Sequence, residues 1–556
     1  MERHRRRKYR GLPVLGALAV VALGAGMAVG SSAESKAERV ARDFGAAWAR
    51  GDYAAMYGLL SRDAQARFDR RAFRAAYDRA RHTATATTLR AAAPQGERDG
   101  AVRLPVAVAT RVFGTVRGDV RVPVAEEALE WQPHLVFPGL REGESLSRRT
   151  RAPRRAAILS ADGKTLAEGP AEGRASPLGA LASSVAGAVE PTDDKAERRL
   201  LFARGFAPES PRGATGLERI LEQRVAGRPG GTLLAGRRIL ARTEPRTAEA
   251  VRSTIDTRLQ ESAVTALAGR FGGIAALDAR TGALRALAGI AFSAPQPPGS
   301  TFKIVTTTAA LEADAVTLAD RFPVESNAVI DGVELENANG ELCGGTFENS
   351  FAHSCNSVFG PLGVKVGSKR LVQTAERFGW NGAPTLAGEK PSTLPPPGQI
   401  VSPLEIGSTA IGQFRTLATP LQMASVAQTI ANRGVRMLPT ATSHETGRAV
   451  RVTSSGVAAT IERLMLAVVD RGTGTSAAIP GVKVAGKTGT AELEDTRGAD
   501  GETREADPSN TDAWFTAYAP AGRPRIAVAV LLVRNGAGGT TAAPAARIVL
   551  ARALGK

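Results

Sequence analysis

The chain has 556 residues, 43% hydrophobic and 23% charged, which excludes a disordered polymer and predicts several folded domains rather than one core. Its net charge of +18 is carried mostly by arginine, but these arginines are scattered and not interleaved with stacking aromatics, which make up only 5% of residues. That argues against nucleic acid and leaves a solvated basic surface, with attraction to anionic lipid or an acidic wall polymer as the sharper alternative.

At the N-terminus, Arg3, Arg5, Arg6, Arg7, Lys8 and Arg10 precede an uncharged run from Gly11 to Gly30. A helix of about 20 such residues spans a bilayer core, with its basic flank on the cytoplasmic side and the rest exported. The length favours an uncleaved anchor over a signal peptide cut near Gly30-Ser31-Ser32-Ala33. No cysteine lies near its end, which excludes a lipobox.

Next comes a helical pair: Val40, Phe44 and Trp48 form one apolar face, Arg50-Gly51-Asp52 breaks it, and Tyr53, Met56, Tyr57 and Leu60 resume it. A further helical stretch holds Phe68, Phe73 and Tyr77. Alternation over Val102–Val108 and Arg117–Val124 then predicts strands, ending in Trp131-Gln-Pro-His-Leu-Val-Phe-Pro-Gly139. His82 and His134 read as structural or incidental. Residues 154–167 predict a hairpin turning at Asp162-Gly163, and Gly216-Leu-Glu-Arg-Ile-Leu221 leads to Gly227-Arg-Pro-Gly230.

From Thr254 the pattern is denser. Asp256 is placed to cap a helix, Gly273–Asp278 and Ala283–Ala288 form a hairpin across Thr281-Gly282, and Ile526–Val533 is a buried strand before an Ala-rich helix. Strands at both ends with helices between them predict an α+β domain built on an antiparallel sheet flanked by helices.

Three short motifs occur once each and in order: Ser300-Thr301-Phe302-Lys303, Ser354-Cys355-Asn356 and Lys487-Thr488-Gly489. Pro297-Pro298-Gly299 forces Ser300 into the first turn of a helix, with Lys303 on the same face. Burial and a second cation would make Lys303 a base, and Ser300 its nucleophile. A capping serine beside a surface lysine is the alternative for that motif alone. Alternation over Val482–Gly486 predicts a strand entering Lys487-Thr-Gly-Thr490, an edge to which an extended peptide can pair. Residues 513–520 read as its partner strand, and the charged stretch Leu493–Asp512 as an exposed loop.

This ordered set resembles that of enzymes forming an acyl-serine with penicillin and D-alanyl peptides. Residues 254–556 resemble the transpeptidase domain of class B penicillin-binding proteins. Residues 34–147 resemble the nuclear-transport-factor-2-like spacer of some members, an α+β cone-like domain without a catalytic constellation. Residues 148–253 are similar to a reduced pedestal or dimerisation region, and residues 1–30 form the basic tail and anchor. The resemblance gives Ser354 a proton-relay role, Asn356 a contact with the substrate amide, and Lys487, Thr488 and Thr490 the substrate carboxylate. Gly489 leaves the strand face uncrowded, and the N–H groups of Ser300 and Thr490 would form the oxyanion hole. It also implies peptidoglycan stem peptides as substrates, β-lactams as inhibitors, a separate glycan polymerase as partner, and no cofactor. Phe414 stands where the family usually has Gly, and the segment before Ser300 is short; both bear on substrate preference.

Cys343 and Cys355, twelve positions apart and both on the exported side, form either a disulfide bracing the Ser354 loop or two buried thiols. Five scattered histidines offer no metal-ligand spacing, and His353 has no recognisable acidic partner. The rival readings are a D,D-carboxypeptidase, a β-lactamase, for which no deacylating motif is found, and a β-lactam sensor or scaffold.

Overall fold

The computed structural model describes residues 34–445, 447–493 and 508–556. The apolar run at 11–30 and most of the expected loop after Leu493 lie outside the described residues. Among those described, no helix is long and apolar enough to cross a membrane.

The N-terminal unit is four helices laid on a curved antiparallel sheet. Ser35 and Glu38 close a capping box that starts helix Lys36–Arg50, and Gly51, with φ at 69°, ends it. Its buried face includes Ala41, Phe44, Ala47 and Trp48. Gly45 is the contact point with the sheet, where a Cβ would lie 2.9 Å from the Ala91 side chain and 3.1 Å from Leu104. The sheet runs in the order Ala86–Ala91, Ala101–Thr110, Gly114–Ala125, Ala128–Leu129, with Gln95–Arg98 also on the second strand. Val102, Leu104, Val106 and Val108 point inward, as the alternation requires. Phe68 differs from expectation: it ends helix Arg62–Arg67 in extended conformation, and its ring packs edge-on to Trp131 at 4.8 Å.

The segment between the two units shares its side chains with both. Leu233 and Ala235, from strand Gly230–Ala235, complete the N-terminal core. The hairpin Ile158–Leu159/Thr165–Ala167 and helix Gly216–Ile220 pack instead into the C-terminal core. Buried Arg155 holds this junction, donating to Glu218 at 2.6 Å and Glu222 at 2.8 Å, while Arg174 donates to the other Glu218 oxygen at 2.6 Å.

The C-terminal unit is built on a five-stranded antiparallel sheet in the order Leu284–Gly289, Gly272–Asp278, Ile526–Leu532, Thr511–Ala519, Ala485–Glu492. Asp256 caps helix Thr257–Leu267, accepting from Arg258 N and Leu259 N. That helix and Ala542–Leu554 cover one face, against Ile274, Val528 and Val530. Ala275, Leu277, Ala527 and Ala529 face the opposite layer, which includes helices Lys303–Glu312, Pro420–Ala431 and Ser455–Arg471. The strand Ala485–Glu492 is the sheet's edge.

Candidate active site

Ser300 sits in a single 3-10 turn, Gly299–Phe302, and the α-helix proper starts at Lys303. Gly299 has φ at 51°, and a Cβ there would lie 2.8 Å from Thr490 O. Reciprocally, a Cβ on Gly489 would lie 2.8 Å from Pro298 O. The Ser300 turn is therefore pressed against the edge strand at two positions where only glycine fits without displacement. Gly299 N also donates to Gly412 O at 3.0 Å, which fixes the 411–416 loop beside it.

One turn on, Lys303 is completely buried while Ser300 stays partly exposed. Its Nζ donates to Ser354 O and Asn356 Oδ1, both at 2.7 Å, and lies 3.2 Å from Ser354 Oγ. Lys487, equally buried, donates to Ser354 Oγ at 2.8 Å and to Thr488 O at 3.0 Å. The Ser354 hydroxyl thus bridges two lysines, with the Phe359 ring 5.3 Å from one Nζ and the Phe351 ring 5.7 Å from the other. Burial holds the Lys303 amine well below the usual lysine range, and the nearby Lys487 charge lowers it further. Burial also brings Lys487 down to about 7. A neutral Lys303 amine has two hydrogens and one lone pair. The two carbonyl-type oxygens take both hydrogens and leave the lone pair as a proton acceptor.

Ser354 makes this bridge from a left-handed backbone, φ 64°, at the end of helix Phe347–Ala352. Cys355 N donates to Ser350 O at 2.9 Å, and Asn356 opens helix Asn356–Val366 with its amide held by Glu336 O at 2.7 Å. Cys343 and Cys355 are joined as a disulfide, Cα to Cα 5.4 Å, which decides between the two readings left open by spacing. His353 does have an acidic neighbour, contrary to the sequence reading: Nδ1 is 3.6 Å from Glu341 Oε1.

Two supporting residues escape sequence reasoning. Thr473 Oγ1 is 2.5 Å from Thr488 Oγ1 and also donates to Ala352 O at 3.3 Å, tying the edge strand to the Ser354 turn. Gly538 N donates to Thr490 Oγ1 at 3.3 Å. Their only signal is a short Gly-Thr-Gly and a Gly-Gly pair between helix and strand patterns, too common to single out. The expected strand begins at Ala485 rather than Val482. Phe414 adopts φ 60°, a left-handed conformation that favours glycine, and carries the Arg415 guanidinium 4.7 Å from its ring. Among the described residues no cluster of His, Cys, Asp or Glu could hold a metal.

Residues 272–551 match the family described as penicillin binding protein transpeptidase domain. The chain belongs to that family. Residues 36–144 match an NTF2-like N-terminal transpeptidase domain. Among relatives, the peptidoglycan D,D-transpeptidase PbpA of Mycolicibacterium smegmatis is 38% identical over 298 residues, 48% of this chain and 56% of that protein. Its namesake from Mycobacterium tuberculosis is 36% identical over 300 residues, with the same coverage. The chain therefore spans little more than half the length of these relatives. The penicillin G acyl-enzyme of M. tuberculosis penicillin-binding protein A superposes with a TM-score of 0.57 at 27% identity, covering 72% of this chain and all (100%) of that one. The D,D-transpeptidase domain of an Eggerthella lenta peptidoglycan glycosyltransferase gives 0.59 at 29%, covering 73% and 99%.

Proposed function

We propose that this transpeptidase-family chain is a serine D,D-transpeptidase that cross-links peptidoglycan stem peptides and is blocked by β-lactams. The observation that carries the reading is the Ser354 hydroxyl held between two buried lysines, of which Lys303 lies one turn from a partly exposed Ser300. In this mechanism Ser300 Oγ attacks the carbonyl of the D-Ala–D-Ala bond and its proton passes to the neutral Lys303 amine. Backbone N–H groups of Ser300 and Thr490 receive the developing oxyanion. The proton then travels through Ser354 to the departing nitrogen, D-Ala leaves, and an ester to Ser300 remains. An amine of a second stem peptide attacks that ester, gives up its proton, and returns Ser300 as a hydroxyl. Lys487 supports the neutral state of Lys303 by its charge and, with Thr488 and Thr490, meets the terminal carboxylate. Asn356 contacts the substrate amide, and Gly489 leaves room on the edge strand for an extended peptide. A β-lactam follows the first step, but its amide nitrogen stays tethered in the opened ring and the acceptor finds the site occupied.

The remaining parts of the reading are a single-pass anchor at residues 11–30, a spacer over 34–147, a junction over 148–253, and an extracytoplasmic catalytic domain over 254–556. The disulfide supports that side of the membrane, since such bonds persist in oxidising compartments. A separate glycan polymerase completes wall synthesis in this scheme, the N-terminal match being to an NTF2-like domain.

The test is intact mass after exposure of the full chain and Ser300→Ala to a penicillin, followed by a D-Ala–D-Ala donor and an amine acceptor. One adduct lost in the variant, with donor passed to the amine, supports the proposal. Hydrolysis alone would assign a carboxypeptidase, an adduct without peptide turnover would assign a sensor, and no adduct on folded protein would end the enzymatic reading.

A further inference from the structure

Asn356 meets Lys303 through an amide whose two ends have nearly the same shape and opposite chemistry. With Oδ1 at 2.7 Å from Lys303 Nζ, the amide takes a hydrogen of the amine and leaves its lone pair free. Turned over, it would donate an N–H to that lone pair and block it as a proton acceptor. The choice is made on the far side of the amide. Nδ2 donates to Glu336 O at 2.7 Å, a carbonyl that can only accept. Its second hydrogen suits the substrate-amide contact proposed above.

Glu336 ends the hairpin Asn327–Ile330/Val333–Glu336. Its side chain is exposed, and Cys343 of the disulfide lies beyond the next turn, Ala338–Gly340, so neither fixes its carbonyl. The following residue does. Asn337 is 4% exposed, and its side chain ties three segments together. Nδ2 donates to Glu325 O at 2.8 Å and Glu341 O at 2.9 Å, with Ser357 Oγ 3.1 Å away. Oδ1 accepts Ser357 N at 2.9 Å, in the first turn of the helix that Asn356 opens. Such an N–H has no partner within its own helix, and Cys355 at the cap position offers it no side-chain bond. The backbone N of Asn337 donates to Ser326 O at 2.7 Å and closes the base of the hairpin.

We propose that Asn337 is a positioning residue for acylation: it clamps Glu336 O against Asn356 and so sets which end of that amide faces Lys303. The inference rests on the transpeptidase reading and adds to it a residue outside the three motifs. Without the clamp the amide is free to turn over, which blocks the lone pair and presents N–H groups to the ammonium form. That form then loses an acceptor, in addition to the repulsion from Lys487, the charged group that acts on Lys303 among the described residues. The rate should therefore fall while its acid limb moves to lower pH. General loosening of the site acts the other way, because water reaching the amine restores the ammonium and moves the acid limb up.

The test is the rate constant of penicillin acylation across pH for the full chain in detergent, for Asn337→Ala, for Asn356→Ala and for the double variant, with the folded fraction read from a melt. Asn337→Ala is expected to acylate about 10–100-fold more slowly, the size of a misplaced reacting geometry. Its acid limb should lie about one pH unit lower, the worth of one hydrogen bond to a charged amine. In the Asn356→Ala background the same substitution should change the rate by less than about twofold, because the amide it acts through is gone. Asn337→Ser, which keeps one donor and one acceptor, should recover part of the rate, and it takes the place of the alanine variant if that chain does not fold. Normal acylation by a folded Asn337 variant, an acid limb that moves up, or additive losses in the double variant would overturn the proposal. No adduct on the unsubstituted chain would end the transpeptidase reading itself, and the proposal with it.

Discussion

The two units differ in the polar groups they bury among their apolar side chains. The N-terminal core is packed by rings, with Phe44, Trp48, Phe73, Tyr77 and Trp131 in contact and Phe73 5.0 Å from Trp131. The C-terminal core combines aliphatic residues with rings such as Trp380, Trp514 and Tyr518, and into it go two lysines that have no carboxylate partner among the described residues. Rings bury large apolar area at little conformational cost and stabilise a fold. Buried ammonium groups do the reverse, and desolvation holds the Lys303 amine well below the usual lysine range, as the proposed base role requires. One unit is organised for stability and the other gives up some of it for chemistry.

Substitutions in the two cores should therefore separate rate from stability. Lys303→Met is expected to slow penicillin acylation by about 10³-fold, the middle of the general-base range. Its folding stability should stay within ~1 kcal/mol, because relief from burying the amine offsets the two carbonyl oxygens left without a donor. Acylation kinetics beside denaturant melts check both halves. Trp131→Ala should do the opposite, costing about 3–5 kcal/mol in the N-terminal transition while the acylation rate constant of the folded protein stays within about twofold. A comparable fall in acylation would show that the two units are coupled.

Smaller effects sharpen the contrast. Both cysteines lie in the catalytic unit, so reduction should lower its stability by about 2–3 kcal/mol and leave the N-terminal transition in place. Reduction should also slow acylation, because Cys355 anchors the left-handed Ser354 turn. Melts followed with and without a thiol reductant read this directly.

The pH dependence should be local to the catalytic unit. Lys487 titrates near 7 when folded and about 10.4 when unfolded, so between those values the unfolded chain binds more protons. The burial penalty is full below pH ~7 and is relieved on going up towards ~10, by at most ~1.4 kcal/mol per pH unit. Acylation runs the other way on its basic side: rising pH through about 7 removes the Lys487 charge, while acid protonates Lys303. A bell-shaped rate profile is expected, and Lys487→Arg, which keeps its charge, should push the basic limb up by several pH units. An unchanged basic limb in that variant would detach Lys487 from the titration.

Local signals in the chain were enough for the elements and the motif order. The Asp256 cap, the 272–289 hairpin, the inward alternation of Val102 to Val108 and the serine at a helix start are each set by neighbours a few residues away. Ser300, Lys303, Ser354, Asn356 and Lys487 were legible because their spacing within each motif is short. What brings them together was not. The Ser354 bridge spans 51 residues to Lys303 and 133 to Lys487, and Thr473 meets Thr488 only because a helix end and a strand edge pack side by side. The disulfide, the left-handed turns at Ser354 and Phe414, and the Asn337 clamp likewise depend on packing between distant segments. Short-range periodicity and capping are written in adjacent residues. Convergence of side chains, and the desolvation that sets their acidity, arise only when the tertiary structure closes around them.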